Sequence, residues 1–231
     1  MKLSKRLTVL LEMLPHAERV ADIGCDHGKL SLALLKTGSR VWGVDISASC
    51  LRKAELLIAH SPFRHNFTAV EGDGFSALEG ICLDAAVIAG LSGQKIGEIL
   101  REYRGAPIFL ALQPVKGCPA LRRTLDELSF SILDEVCTEE SGHTYFSILA
   151  WAKRVNRPAV WPDPDYSETL LQRKEAAYRN WLLTRRAASV RTANKLAGQN
   201  TPAACLALEK LRRKQATEEK MLALWEENSE G

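Results

Sequence analysis

No stretch of this 231-residue sequence approaches the roughly 20 uncharged apolar residues that a membrane span requires. Its six cysteines, at 25, 50, 82, 118, 137 and 205, form no CxxC pair and no Cys/His cluster at zinc-ligand spacing. No metal site is expected, and the cysteines read as reduced thiols of a cytoplasmic protein. Nor is a signal peptide expected. Residues 1–14 (MKLSKRLTVLLEML) have a basic start and an apolar run, but Glu12 interrupts the run and no small-residue cleavage site follows. A short amphipathic helix is expected there instead. Net charge is small, at +3, and a chain that is 46% hydrophobic and 26% charged is neither disordered nor collagen-like. Its length suits one domain with a buried core plus an appendage.

From 20 to 152 short apolar runs alternate with helical stretches: VADIG then SLALLK, RVWGVDI then ASCLRKAELLIAH, FTAVEG then FSALEG, LDAAVIAG then QKIGEILREY, PIFLALQP then PALRRTLDEL. Five strand–helix repeats imply right-handed crossovers and a mostly parallel sheet covered on both faces. The sixth unit differs. SFSILDEVC (129–137) and HTYFSILAWA (143–152) are separated only by TEESG, too short for a crossover helix, so an antiparallel hairpin is expected at the end of the sheet. The expected fold is therefore α/β and Rossmann-like, with a seven-stranded sheet that resembles class I methyltransferases more than a six-stranded dehydrogenase sheet. This first domain spans 1–153.

Residues 154–167, rich in proline, read as a linker. Beyond them, two helices are expected over roughly 168–197 and 202–228, with Gly198 ending the first and Thr201-Pro202 starting the second. Leu171, Tyr178 and Leu182 share one face, and Leu208, Leu211, Leu222 and Trp225 form one heptad seam with polar gaps at Gln215 and Glu218. An antiparallel, coiled-coil-like helical hairpin over 168–231 is the reading. The positive charge lies here: residues 1–167 carry 19 Lys/Arg against 20 Asp/Glu, residues 168–231 carry 12 against 8. Within 169–200, seven cations face only Glu175. Such a run is either a solvated helix face or a surface for a polyanion such as nucleic acid.

Ligands of an open α/β sheet bind at the carboxyl ends of its strands. In VADIGCDHGKL, Gly24 and Gly28 let the backbone turn closely into a helix whose N-terminus offers unpaired amides. Asp26, however, stands where a dinucleotide fingerprint carries glycine. It would repel a pyrophosphate, yet it suits the ammonium and sulfonium groups of S-adenosylmethionine. Asp45, 21 residues beyond Gly24, is placed to hold ribose hydroxyls or else to cap the following helix. Gly72-Asp73-Gly74 suits an adenine amino group and ring, or a plain turn. Gly90-Leu91-Ser92-Gly93 gives close backbone approach and no acid, base or nucleophile. The Asn/Asp-Pro-Pro-aromatic stretch common in enzymes that methylate an exocyclic amine is absent.

LSKRL (3–7), ADIGCDHGKL (21–30), EGDGF (71–75), VIAGLSG (87–93), LALQP (110–114) and LDEVCTEESGHTY (133–145) resemble, in that order, the bacterial tRNA adenine-N1 methyltransferases that modify adenine 22. That family also carries a helical domain after its methyltransferase domain, so the resemblance spans essentially the whole chain. It implies S-adenosylmethionine as cofactor, tRNA as partner and Asp26 as the catalytic residue; the alternative for Asp26 is that it orders the loop or pairs with His27. By the same resemblance Asp22, Gly24, Cys25, His27, Asp45, Asp73, Gly74 and Gly90 line the cofactor pocket, and Arg6 pairs with the methionine carboxylate. Leu91, Ser92 and Val115 depart from the family pattern on the target-base side. Alternatives are a class I methyltransferase acting on another RNA or a small molecule, and a weakly catalytic RNA adaptor. With tRNA as partner, Arg173, Lys174, Arg185, Arg186 and Arg191 are the expected phosphate contacts. The oligomeric state is left open, and a monomer is compatible with the sequence.

Overall fold

A computed structural model describes residues 3–152, 164–199 and 201–227. They fall into two compact units, Met1–Tyr166 and Ser167–Gly231. Most of the expected linker, 154–163, lies outside the described residues.

The first unit is built on a seven-stranded sheet. Its strands are β1 (Arg19–Ile23), β2 (Arg40–Asp45), β3 (Phe67–Glu71), β4 (Ala85–Ala89), β5 (Phe109–Gln113), β6 (Ser131–Glu140) and β7 (His143–Trp151), in the spatial order β3-β2-β1-β4-β5-β7-β6. The first five are parallel, and β7 pairs antiparallel with both β5 and β6. Burial on both faces explains the near-continuous apolar runs of the central strands: Val20, Ala21, Ile23, Ala85–Ile88 and Leu110–Leu112 are all buried. The strand order reverses between β1 and β4, which opens a crevice above their carboxyl ends.

Helices α1 (Lys5–Met13), α2 (Lys29–Lys36), α3 (Ala48–Ala59), α4 (Gly93–Glu102) and α5 (Cys118–Glu127) cover the sheet. The amphipathic N-terminal helix earns its place through Leu10, fully buried in the core, with Leu3, Leu7, Leu11 and Leu14 packed around that core. Full burial of a leucine contributes roughly 1.5–3 kcal/mol. At the start of α2, Gly28 has φ +72° and a Cβ there would lie 2.7 Å from Ala54 Cβ, so only glycine lets α2 begin against α3. After β3 the expected helical stretch FSALEG forms a single 3-10 turn, Gly74–Leu78, because the chain reaches β4 within a few residues.

The terminal hairpin is tighter than expected. TEESG supplies three residues of strand, with Glu140 paired to His143, and the turn is Ser141-Gly142 alone. Both turn residues have positive φ, 52° and 76°, as a two-residue primed turn matching the strand twist requires.

In the second unit, α6 (Glu168–Gln172), α7 (Ala176–Leu196) and α8 (Pro202–Glu227) replace the two expected helices. Ser167 caps α6, and Lys174 at φ 52° breaks the chain before α7. Arg179 pairs with Glu226 near the end of α8, whereas Arg185 and Arg186, further along α7, pair with the earlier Glu218 and Glu219, which makes α7 and α8 antiparallel. Thr201 Oγ1 accepts from the Ala204 amide at the start of α8. Leu171, Tyr178, Leu182 and Leu222 are buried in this unit.

Candidate functional site

Five loops meet at the carboxyl edge of the sheet. The β1 loop turns through Gly24 (φ 73°), Asp26 (φ 49°) and Gly28 (φ 72°). It is tied to β2 by the Gly24 and Cys25 amides, which donate to the Val44 carbonyl at 2.8 and 3.1 Å. A side chain at Gly24 would point toward Leu91 of the β4 loop, 3.8 Å away. The β4 and β5 loops are zipped beyond the sheet: Gly90 donates to the Gln113 carbonyl, Val115 to that of Leu91, and Gly93 to that of Lys116. Gly90 has φ 82° and open space where a Cβ would be.

Asp22 is buried beneath this loop. Its Oδ2 accepts from Ser31 Oγ at 2.6 Å, in the first turn of α2. Burial raises its pKa to about 6, against the opposing effect of the Ser31 hydrogen bonds. The protein's own carboxylate thus answers the helix N-terminus that a phosphate would use. This is a second obstacle to a pyrophosphate, independent of Asp26.

Asp45 ends β2 and links two loops. Its Oδ2 accepts from the Asp26 amide at 3.1 Å and its Oδ1 from the Ser47 amide at 2.9 Å. Ser47, not Asp45, caps α3 through the Cys50 amide. Each Asp45 oxygen keeps a further lone pair, which fits a ribose diol. Asp73 accepts from Lys95 Nζ at 3.2 Å through Oδ2. Among the described residues nothing donates to its Oδ1.

Asp26 is the most exposed of these carboxylates, with 66% of its side chain accessible. Its Oδ1 lies 2.6 Å from His27 Nδ1 and 3.6 Å from Cys50 Sγ on α3. Partial burial would raise its pKa, but the hydrogen bonds from His27 and Cys50 and the charge of His27 together bring it below the ordinary value. Cys25 is buried, and burial pushes its thiol up, so it is an inert packing group.

Arg6 of α1 reaches the same edge. Its Nη1 donates to Gln113 Oε1 at 2.7 Å, while Gln113 Nε2 donates to the Arg6 carbonyl at 3.0 Å and to Ser147 Oγ at 2.7 Å. Glu140 lies 3.9 Å from Arg6 Nε, and the guanidinium stacks 5.2 Å above the Tyr145 ring. Among the described residues nothing occupies Nη2, so one prong of the fork is left for an anionic group.

Residues 3–149 match the family described as a methyltransferase domain. The chain belongs to that family. A tRNA (adenine(22)-N(1))-methyltransferase of Bacillus subtilis is 31% identical over 158 residues, which span 66% of this chain and 66% of that relative. Among solved structures, the B. subtilis m1A22 tRNA methyltransferase TrmK superposes with a TM-score of 0.81 at 23% identity, covering 96% of this chain and 99% of that one. TrmK of M. capricolum, in complex with S-adenosylhomocysteine, gives a TM-score of 0.82 at 18% identity and covers 97% and 99% of the two chains. These are likenesses of fold, and they cover residues of both units.

In this methyltransferase-family protein, the loops bring Asp22, Gly24, Asp26, His27 and Asp45 together and put Asp73, Gly74 and Gly90 at the ends of neighbouring strands, while α1 brings Arg6 to Gln113 at the end of β5. Several contributors escaped the sequence reading. Ser31, Cys50, Lys95 and Glu140 act through spatial neighbours that no motif encodes. Gln113 lies within LALQP, and its amide was the one available signal.

The basic candidates of the second unit differ among themselves. Arg185 pairs with fully buried Glu218 at 3.1 Å and stacks over Trp181. Arg186 pairs with exposed Glu219 at 2.7 Å. Lys174 lies 5.8 Å above the Trp225 ring, and Arg173 is exposed just beyond α6. Arg191 is exposed and makes no ion pair among the described residues.

Proposed function

We propose that this protein is a cytoplasmic tRNA-modifying enzyme that methylates N1 of adenine 22 in tRNA, with S-adenosylmethionine as donor. The observation that carries this reading is the bond from the Asp26 amide to Asp45 Oδ2, which ties the expected catalytic carboxylate to the expected ribose-binding one. The 31% identical relative supports the choice of substrate.

The residues divide the work. Asp45 would hold the ribose hydroxyls, Asp73 the adenine amino group through Oδ1, and Arg6 the methionine carboxylate through Nη2. Gly24, Gly74 and Gly90 keep the surface open, while Asp22, Cys25 and His27 support the loop around them. When bound, S-adenosylmethionine supplies an electrophilic methyl group, which adenine N1 takes with its in-plane lone pair. No protein nucleophile is needed, so orientation and electrostatics carry the acceleration. Asp26, ionised at neutral pH, accepts a hydrogen bond from the target's N6 amino group and stabilises the positive charge that develops on the base. It also serves as acceptor if that amino group gives up a proton.

Arg173, Lys174, Arg186 and Arg191 are the cations of the second unit proposed to meet tRNA phosphates, positioning the RNA without reading its sequence. Arg185 contributes less directly, since its guanidinium is engaged with Glu218.

Incubation with labelled S-adenosylmethionine and tRNA transcripts tests the assignment. One methyl group per transcript is expected with adenine at position 22, and none with guanine there. Equal labelling of both transcripts would move the target elsewhere, an outcome to which Leu91 and Val115 at the β4 and β5 loops would then be relevant.

A further inference from the structure

We infer that His27 and Cys50 are positioning residues that pin Oδ1 of Asp26 and thereby reserve Oδ2 for the amino group of the target base. This rests on the proposed methyl transfer to adenine. It gives His27 a role different from the cofactor contact that the family resemblance implies.

Asp26 sits in the left-handed region at φ 49°, a conformation that costs a non-glycine residue about 1 kcal/mol. Its surroundings hold it there: the backbone amide is bound by Asp45, and the side chain by donors from two elements. A carboxylate only accepts hydrogen bonds, so His27 Nδ1 must carry the proton in the 2.6 Å contact. Cys50 Sγ, from the first turn of α3, approaches the same oxygen at 3.6 Å. Among the described residues no side-chain donor reaches Oδ2; the His27 backbone amide also lies near the carboxylate. Without these two contacts an exposed carboxylate would rotate freely, and the target amino group would have to order it during the reaction. With them, the acceptor stands oriented beforehand, which is where electrostatic catalysis gains most. Cys50 also ties this orientation to α3, whose capping residue Ser47 is held by Asp45.

The test uses the full chain, unmodified tRNA, turnover at saturating substrates and equilibrium binding of S-adenosylhomocysteine. His27→Ala is expected to lower kcat about tenfold or more while leaving S-adenosylhomocysteine affinity within about twofold. His27→Asn places an amide N–H near the position of Nδ1 and should recover most of that loss. Cys50→Ala removes a weaker donor and should cost about threefold in kcat. In the Asp26→Asn background, His27→Ala should add little, because the two residues act as a unit. The inference is overturned if His27→Ala keeps full kcat, or if its rate and cofactor affinity fall together. Wild-type turnover by Asp26→Asn would remove the catalytic reading and this inference with it. An impaired Asp26→Asn beside a fully active His27→Ala would remove the positioning role alone.

Discussion

Asp22 shows how much a single buried carboxylate can cost a fold. Its pKa is raised to about 6 by burial, so the folded protein holds a proton that the unfolded chain releases at lower pH. The sign follows: its relative stabilising contribution is complete below about pH 4 and is lost as pH rises through about 6. At neutral pH the penalty is about 3 kcal/mol. Asp22→Asn, which can still accept from Ser31, should therefore raise thermal stability at pH 7.5 by about 2 kcal/mol and have little effect near pH 4. Melting curves at the two pH values check this; a variant less stable than wild type at pH 7.5 would contradict it. Glycine and aspartate patterning made the loop itself readable, because left-handed turns and strand-end carboxylates have few substitutes. Of their partners only His27, adjacent to Asp26 in the chain, was readable as a pairing group. Nothing in ADIGCDHG indicates that Asp22 answers the start of α2, or that Cys50, 24 residues later, shares the Asp26 oxygen that His27 meets.

Alternation and loop length revealed the parallel strands and the closing hairpin at the level of elements, since both follow from the distance a chain must cross between paired strands. The boundaries were hidden where tertiary pairing overrides local propensity. Thr138–Glu140 look like loop residues, yet they extend β6 opposite His143–Tyr145. The turn that results places Ser141 at φ 52°, a position asparagine tolerates better than serine. Ser141→Asn should stabilise the first unit by up to about 1 kcal/mol, read as a higher urea midpoint at unchanged slope. A lower midpoint would argue against the primed turn. Likewise, the expected helix over 168–197 splits because Lys174 adopts φ 52° between α6 and α7, a break that no proline or glycine announces.

Over the whole molecule, a nearly neutral sheet domain is joined to a basic helical unit. Charge counting revealed that asymmetry but could not distinguish cations that hold the unit together from cations that face outward. Arg185→Gln leaves Glu218 buried with Lys214, at 3.9 Å, as its one remaining cation among the described residues, and should destabilise the helical unit by about 3 kcal/mol. Arg191→Glu should leave stability unchanged, weaken tRNA binding, and flatten the dependence of log affinity on log salt by about 1. Binding titrations at several salt concentrations, paired with chemical denaturation, separate the two roles. The reverse pattern would place Arg185 outward and make Arg191 structural.

The most direct measurement of the central claim is nucleoside mass spectrometry, with position mapping, of unmodified tRNA incubated with saturating S-adenosylmethionine and either wild-type protein or Asp26→Asn. The account predicts 1-methyladenosine at position 22 alone with the wild type, and its near absence with the variant. Methylation at N6 or at another position, or an Asp26→Asn protein as active as the wild type, would contradict it.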